Sequence, residues 1–226
     1  MSAVNEKKVA ALAAVKYVKS GMTIGLGTGS TAFFMIEAIG DLVQNGMDIK
    51  AVATSEETEK LAKERGIDVI SLAEAKRLDV TIDGADEVDE NFQLIKGGGG
   101  ALLREKIVAH NSDFNIIIAD ASKSVSKLGA FKLPIETIPF ATQLIINELA
   151  ELGLRPVQRK KGDTDYKTDE KNDIVDVDIW NTGIKLTDLE QKLKAIPGIV
   201  ETGLFLTSTN LVIIGKGEEA VIKEKG

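Results

Sequence analysis

The sequence predicts an α/β protein: a mostly parallel, Rossmann-like sheet domain with a smaller α+β second domain of the ferredoxin-like, split βαβ type. Two observations indicate this class. Short apolar strands alternate with segments of helical periodicity through the first half of the chain, which favours a parallel sheet covered by helices. After Gly129 the order changes to β-α-β-β-α-β, which is the split βαβ order. The 226 residues can bury a sizeable core, in one large or two small domains.

The first half of the chain alternates between helical and strand-like segments. Ala11, Val15 and Val18 recur at helical spacing in the first helix, and Gly21 ends it. Each later strand is a short apolar run that ends in small or polar residues, and most of these ends lead into a helix. The predicted helices cover residues 5–20, 32–45, 56–65 and a stretch from 101 onward, and the predicted strands cover 22–26, 49–54, 68–70, 80–82 and 114–119.

The second half gives the smaller domain. Its predicted strands cover 133–138, 155–160, 173–180 and a stretch after Gly198, and its predicted helices cover 142–152 and 186–195. The apolar run Leu211–Ile214 is expected to return to the first sheet. We therefore expect a discontinuous catalytic domain formed by residues 1–128 and about 205–226, and a small domain of residues 129–204 with a role in assembly. The polar run 160–172 is expected to be an exposed hairpin tip.

Composition and charge exclude several classes of partner. The formal net charge is −7 and the isoelectric point is about 5.0, without a basic stripe, so a nucleic acid or an anionic membrane is not expected to bind. The absence of cysteine excludes a disulfide framework, a thiol nucleophile and a thiolate metal site. No apolar run has the length of a secretory signal or a membrane span. We therefore expect a cytoplasmic protein.

Most of the candidate catalytic residues lie between Val80 and Ala109. Asp83 and Asp86 follow a short buried strand, and the carboxyl ends of strands in open α/β sheets are where ligands bind. Lys96 leads into four consecutive glycines, a pattern that brings backbone N–H groups close to a ligand. Glu105 follows in the next helix.

Each of these residues also has an ordinary structural interpretation. The aspartates can cap a turn, and Lys96 can be a surface residue. Leu103, Ile107 and His110 fall on one helical face, which predicts that Glu105 points away from the core and that His110 is structural. The combination of two acids and a lysine around a four-glycine loop nevertheless favours a functional site.

A second candidate site is the small-residue loop Gly27–Thr31 between a strand and a helix. Such a loop offers N–H groups and a helix dipole to a phosphate, and Thr28, Ser30 and Thr31 add hydroxyls suited to a monophosphate. Gly27, Gly29 and Ala32 also match G-x-G-x-x-A, but Ser55 stands at the end of the next strand in place of a ribose-binding acid. No G-K-[ST] follows, which excludes a Walker A loop. An ordinary strand-to-helix turn remains the alternative.

Several stretches together carry a family resemblance. DGADEVD at 83–89 and LIKGGGGALLREKIVA at 94–109 resemble the type A family of ribose-5-phosphate isomerases, and further matching stretches follow in the same order: GLGTGSTA at 25–32, TSEETEKLA at 54–62, ADASK at 119–123 and LGAFKLPIE at 128–136. The chain departs from the family's frequent T-D-x-G-N pattern, with Thr168-Asp169-Glu170-Lys171-Asn172 in its place.

The resemblance implies an aldose–ketose isomerase that interconverts ribose 5-phosphate and ribulose 5-phosphate through an enediolate, in the non-oxidative pentose phosphate pathway. It implies a small-molecule sugar phosphate as partner, no cofactor, no metal, and a homodimer or higher homo-oligomer. The implied catalytic residues are Glu105 as the carbon base, Lys96 as an oxyanion donor, and Asp83 with Asp86 for the oxygen protons. The implied substrate-binding residues are Thr28, Gly29, Ser30, Thr31, Gly84, Ala85, Gly97, Gly98, Gly99 and Lys123.

Three alternatives stay open on the sequence. An aminosugar-phosphate deaminase or transferase of similar fold usually depends on a catalytic histidine, and His110 is the single histidine here. A non-catalytic sugar-phosphate sensor normally carries a DNA-binding helix pair, for which there is no room before Gly21. A Schiff-base aldolase would use Lys96, and borohydride trapping with substrate would detect it.

Overall fold

A computed structural model describes residues 2–225 of the chain. Within them the α-helices are α1 (Ala3–Val15), α2 (Ser30–Gln44), α3 (Glu56–Glu64), α4 (Leu72–Ala75), α5 (Leu102–His110), α6 (Thr142–Glu151) and α7 (Leu186–Lys194). The strands are β1 (Thr23–Leu26), β2 (Lys50–Ala53), β3 (Asp68–Val69), β4 (Val80–Gly84), β5 (Glu87–Val88), β6 (Leu94–Ile95), β7 (Asn115–Asp120), β8 (Leu133–Thr137), β9 (Val157–Gln158), β10 (Lys160–Lys161), β11 (Thr164–Asp165), β12 (Asp173–Val177), β13 (Ile199–Thr202), β14 (Leu204–Phe205), β15 (Leu211–Lys216) and β16 (Glu219–Glu224).

The chain divides into two compact units. The large unit contains the residues up to Ala85, Arg104–Ser124 and the residues from Thr207 onward, and the small unit contains Asp86–Leu103 and Val125–Leu206. The segment Asp86–Leu103 differs from our expectation, which placed it in the large domain. It belongs to the small unit because β5 and β6 pair with each other and β6 pairs with β14.

The large unit has a seven-stranded sheet in the order β16-β15-β7-β4-β1-β2-β3. Its strands run parallel except for the edge strand β16, which is antiparallel to β15. The chain proceeds from β1 outward through β2 and β3 and then returns to β4 on the other side of β1. The loops after β1 and β4 therefore flank the point where the strand order reverses, and ligands bind at that point in sheets of this type.

Apolar residues of α1 and α2 pack against this sheet. Ala10, Ala11 and Ala14 come from α1, and their small size lets the helix approach closely, while α2 contributes larger side chains such as Met35 and Ile39. The strand return of Leu211–Ile214 is confirmed, since β15 pairs with β7. Strand β16 was not predicted because its exposed, partly charged residues form no apolar run.

The small unit confirms the predicted split βαβ arrangement. Its four-stranded antiparallel sheet has the order β13-β8-β12-β9, with α6 after β8 and α7 after β12. The core includes Ile135 and Val175 from the sheet and Leu149 and Leu189 from the helices. The predicted strand 155–160 is wrong in extent: Arg155 has φ 45, which is not a strand conformation, and Lys160 belongs to the β10–β11 hairpin.

The predicted α/β fold class is thus confirmed in both units. Among residues 2–225, none of the helices combines the length and apolar character that crossing a membrane requires.

Candidate functional site

In the large unit, three adjacent strands deliver predicted site residues to one edge of the sheet. Strands β7, β4 and β1 are parallel neighbours, with Leu26 opposite Ile82 in the β1–β4 register. Thr28 follows β1, Asp83 lies near the end of β4, and Lys123 follows β7 in a 3-10 turn at Ala121–Lys123. The topology therefore brings these residues to the carboxyl edge, as the sequence indicated.

Asp83 is held at that edge by backbone donors. Its Oδ1 accepts hydrogen bonds from the N–H of Thr28 at 3.1 Å and from the N–H of Gly84 at 2.7 Å. Its side chain is buried, with 3% exposure. Gly27 makes this arrangement possible, because a Cβ at that position would lie 2.1 Å from Asp83 Oδ1. Asp83 therefore caps backbone N–H groups, as its ordinary structural interpretation expects, and it does so from a buried position.

The hydroxyl of Thr28 is bonded within the protein, which differs from its predicted role as a phosphate donor. It donates to Ser55 Oγ at 2.8 Å and lies 2.7 and 3.2 Å from the hydroxyls of Thr54 and Thr58. Those two hydroxyls in turn donate to the carbonyl oxygens of Leu26 and Gly27. Thr28 therefore shapes the loop, and its hydroxyl is not turned outward.

The start of α2 has the features of an anion site. Gly29 is the N-cap residue with φ 107, and no side chain caps the first N–H groups of the helix. Ser30 is exposed at the first position, and Thr31 follows, buried. Lys7 of α1, which we did not predict, donates from Nζ to Ser30 Oγ at 2.9 Å. A cation, an uncapped helix start and a serine hydroxyl together suit a phosphate.

Helix α1 also reaches the loop after β7. Glu6 accepts from the N–H of Ala121 at 3.2 Å through Oε2 and from the N–H of Gly217 at 3.0 Å through Oε1. Asp120 caps the 3-10 turn by accepting from the N–H of Ser122 at 3.0 Å. These bonds fix the turn that carries Lys123. Sequence spacing gave no sign of Glu6 and Lys7, because their partners are far away along the chain.

Glu105 faces inward, and our prediction that it points away from the core is wrong. Its exposure is 5%, and the buried residues on the same side of α5 are Leu102 and Val108, three positions away on either side. His110, predicted on the core face, is exposed, as is Ile107. We chose the wrong helical face because α5 has apolar residues on both sides, so periodicity alone could not decide.

In the small unit, Lys96 is buried with 3% exposure, and its Nζ lies 5.4 Å from the centre of the Phe205 ring. Its backbone is fixed because its N–H donates to the carbonyl oxygen of Gly203 at 2.9 Å. A surface role for Lys96 is therefore wrong. Buried lysine is rare without a partner or a function.

The four-glycine loop of the small unit forms a tight turn. The N–H of Gly100 donates to the carbonyl oxygen of Gly97 at 2.9 Å, and both residues have positive φ. The N–H of Gly98, predicted as an oxyanion donor, donates to Asp86 Oδ2 at 2.7 Å. A Cβ on Gly100 would lie 2.2 Å from the hydroxyl oxygen of Tyr166. Asp86 is thus tied to the loop, and Tyr166 is a neighbour that the sequence did not indicate.

Over residues 2–225, no three carboxylate or imidazole side chains come together in a geometry suited to a metal ion.

Comparisons with known proteins identify the family. The family model described as Ribose 5-phosphate isomerase A (phosphoriboisomerase A) matches residues 50–219. Ribose-5-phosphate isomerase A of Bacillus mycoides is 50% identical over 211 residues, which cover 93% of this chain and 96% of the relative. The protein of the same name from Ruegeria pomeroyi is 48% identical over 223 residues, covering 95% of this chain and 85% of the relative.

A solved structure of the same family has a closely similar fold. A D-ribose-5-phosphate isomerase in complex with phospho-erythronic acid superposes with a TM-score of 0.95 and 37% identity, covering 100% of both chains. Sequence similarity over most of the chain and structural similarity over all of it point to one family. This chain belongs to the ribose-5-phosphate isomerase A family.

Proposed function

We propose that this protein interconverts ribose 5-phosphate and ribulose 5-phosphate through an enediolate. Family membership supports this activity. The observation that carries the assignment of residues is burial: Asp83, Lys96 and Glu105 are 3%, 3% and 5% exposed. Burying an ionisable group is costly, so three buried ionisable residues among four candidate catalytic residues favour chemistry over surface roles.

The first requirement is a base for the carbon-bound proton. Moving a proton between C1 and C2 of an open-chain pentose needs a carboxylate close to those carbons. We assign this role to Glu105. Its position on the inward face of α5 supports the assignment, because the backbone of a helix restricts where the carboxylate can move.

The second requirement is stabilisation of the negative oxygen of the enediolate. Lys96 supplies a positive charge, and the N–H groups of Gly97 and Gly99 supply neutral donors. The N–H of Gly98 serves here only when it is released by Asp86, to which it is bonded. Donors fixed before the reaction stabilise developing charge without the cost of reorganising solvent.

The third requirement is proton transfer to and from the sugar oxygens. We assign it to Asp83, with Asp86 as its helper, including the opening of the furanose ring. Gly84 and Ala85, between these two aspartates, contribute backbone groups to substrate binding. The bonds from Thr28 and Gly84 to Oδ1 of Asp83 support this role, since they fix one carboxylate oxygen and define the position of the other.

The phosphate is assigned to the start of α2. Gly29, Ser30 and Thr31 supply backbone and hydroxyl donors, and Lys7 supplies a charge. Lys123 also belongs to the binding residues in this proposal. Thr28 shapes the loop through its bonds to neighbouring hydroxyls. None of these steps uses a cofactor or a metal.

We also propose that the protein is a cytoplasmic homo-oligomer whose small unit takes part in assembly. Exposed apolar side chains close together in the sequence support this: Phe140 is 98% exposed, Leu144 60% and Ile138 41%. Large exposed apolar groups commonly mark interaction surfaces. Light scattering on the wild type and on Phe140→Ser tests it. A wild type with the mass of a monomer contradicts the homo-oligomer, and a Phe140→Ser variant with the same oligomer mass as the wild type contradicts the role of these side chains in assembly.

A coupled assay tests the activity. Ribose 5-phosphate is supplied, ribulose 5-phosphate is detected, and a chelator is present throughout. We expect rapid conversion to equilibrium in both directions. Failure to convert the substrate contradicts the proposed function, and loss of activity on chelation with recovery on adding a divalent metal contradicts the metal-free mechanism.

A further inference from the structure

Three successive carbonyl oxygens of the glycine loop are held by two side chains of the small unit. Arg159 donates from Nη1 to the carbonyl oxygens of Gly97 at 2.9 Å and Gly98 at 3.1 Å. Tyr166 donates from its hydroxyl to the carbonyl oxygen of Gly99 at 2.9 Å. The loop has no side chains of its own, so these contacts fix its orientation.

Fixing the carbonyl groups also fixes the N–H groups. In a planar trans peptide, the C=O of one residue and the N–H of the next point in opposite directions. Turning the carbonyl oxygens of Gly97, Gly98 and Gly99 toward Arg159 and Tyr166 therefore fixes the direction of the N–H groups of Gly98, Gly99 and Gly100. The N–H of Gly98 donates to Asp86 and that of Gly100 donates to the carbonyl oxygen of Gly97, so the N–H of Gly99 is the donor that this arrangement orients for a ligand. Glycine has the widest backbone freedom of all residues, so without such contacts the loop would sample many orientations.

Arg159 is itself rigidly held. Its Nε and Nη2 form a two-point pair with the carboxylate of Asp176, at 2.9 and 2.5 Å. The side chains of Arg159 and Asp176 are 15% and 19% exposed. The guanidinium also lies 5.8 Å from the centre of the Tyr166 ring. Guanidinium donors form a fixed fork, and lysine cannot contact a carboxylate at two points and two carbonyl oxygens at once.

We propose that Arg159 is a positioning residue for catalysis, which holds the carbonyl oxygens of the glycine loop so that the N–H of Gly99 is ordered to receive the enediolate oxygen. Tyr166 assists it. The inference rests on the proposed isomerase function and extends it to two residues outside the predicted site. Since the contact is made to the loop and not to substrate, Arg159 acts on the transition state more than on substrate binding.

The test compares Arg159→Ala, Arg159→Lys and Tyr166→Phe with the wild type. We expect Arg159→Ala to lower kcat by roughly 10- to 100-fold, with KM changed by less than about threefold. This fall in kcat is no larger than the one that removal of an oxyanion donor itself causes. Arg159→Lys and Tyr166→Phe should show smaller falls in kcat. Affinity for phospho-erythronic acid, whose carboxylate resembles the enediolate, should fall in parallel with kcat, measured by calorimetry.

Arg155→Ala is the matched control. Arg155 belongs to the same unit and faces Asp178 at 3.7 Å, but its side chain is 84% exposed, so its loss should leave kcat unchanged. Added guanidinium should restore part of the activity of Arg159→Ala and have no such effect on the wild type. An Arg159→Ala enzyme with native kcat, or with a raised KM alone, overturns the inference. If Arg159→Ala does not fold, native kcat in both Arg159→Lys and Tyr166→Phe overturns it.

Different results contradict the proposed function and this inference. A wild type that does not convert ribose 5-phosphate contradicts the function. An active wild type whose Arg159 variants are as active as Arg155→Ala contradicts the positioning role alone.

Discussion

The backbone N–H of Thr28 donates a 3.1 Å hydrogen bond to Oδ1 of Asp83, which joins the loop after β1 to the end of β4. At the opposite ends of the same two strands, the N–H of Thr23 donates to Oδ2 of Asp79 at 2.7 Å. The two aspartates thus make similar bonds at the two edges of the sheet. Asp83 alone lies at the carboxyl edge, where ligands bind in folds of this type.

This pair of aspartates supports a prediction for Asp83→Asn. An amide cannot accept and return the proton of the ring oxygen, so activity on ribose 5-phosphate should fall by about 10²-fold. The loss should be several-fold smaller on 4-deoxyribose 5-phosphate, which cannot form a furanose. Steady-state rates on both substrates measure this, and Asp79→Asn serves as the control. Equal losses on the two substrates would show that Asp83 does not open the ring.

Lys7→Ala should weaken substrate binding. Lys7 Nζ lies 2.9 Å from Ser30 Oγ at the start of α2, so its removal takes a charge from the proposed phosphate site. We expect KM to rise about 10-fold with kcat nearly unchanged, since a phosphate contact acts equally on the ground and transition states. Lys123→Ala should behave in the same way. Lys8→Ala, at an exposed neighbouring position, is the control, and a large fall in kcat at constant KM would place Lys7 in the chemistry.

Lys171→Gly should stabilise the protein. Lys171 has φ 64, and this region of φ costs an L-residue roughly 1–2 kcal/mol. Glycine removes that strain but adds freedom to the unfolded chain, so the net gain should be on the order of 1 kcal/mol, or about 2–4 °C in Tm. Thermal unfolding measures it. Lys171→Ala keeps the strain and should show no gain, and equal Tm values for both variants would refute this explanation.

The pH dependence of stability should contain a contribution from Glu136. Burial raises the pKa of this carboxyl group, although Asn172 and Thr168 donate to its Oε1 at 2.9 and 3.0 Å. The folded state therefore favours the neutral acid. The stability that Glu136 contributes is present below its ordinary pKa and is lost as the pH rises through the raised value.

The Glu136→Gln variant tests the direction of this pH dependence. Glutamine stays neutral, so the Tm of the variant minus that of the wild type should increase between pH 4 and pH 8. Glu151→Gln, at an exposed position of α6, should show no such trend. A difference that is constant or decreases with pH would contradict the assignment to Glu136.

The sequence predicted the strands and loops of the large unit because each apolar run was short and ended in small or polar residues. It predicted Asp83, Lys96 and Glu105 as site residues, but it gave the wrong orientation for Glu105. Helix α5 has Leu102 and Val108 on one side and Leu103 and Ile107 on another, and tertiary packing decided between them. A single helix does not contain that information.

The contacts of Lys7, Arg159 and Tyr166 could not be predicted from the sequence. Lys7 meets Ser30 across 23 positions, and Arg159 meets Gly97 across 62. No local pattern encodes pairs so far apart. The polar segment around Tyr166 was predicted as an exposed tip, whereas Thr168, two residues later, is buried against Glu136.

In the proposed mechanism, Glu105 removes the proton from carbon. Glu105→Gln keeps the shape of the side chain but cannot accept a proton, and positioned bases contribute on the order of 10² to 10⁴ in rate. The fold should be retained, because glutamine matches the size of glutamate and is as good a helix former as most. Substrate affinity by calorimetry should be nearly native, and Glu64→Gln, at the exposed end of α3, should have full activity.

The most direct measurement is exchange of the C2 hydrogen of ribose 5-phosphate with deuterated water, followed by NMR with each enzyme. We predict that Glu105→Gln slows this exchange by the same 10²- to 10⁴-fold factor as kcat, because both depend on the same proton transfer. Near-native exchange in a folded, substrate-binding Glu105→Gln enzyme would contradict the assignment and place the base elsewhere, with Asp83 or Asp86 as the next candidates.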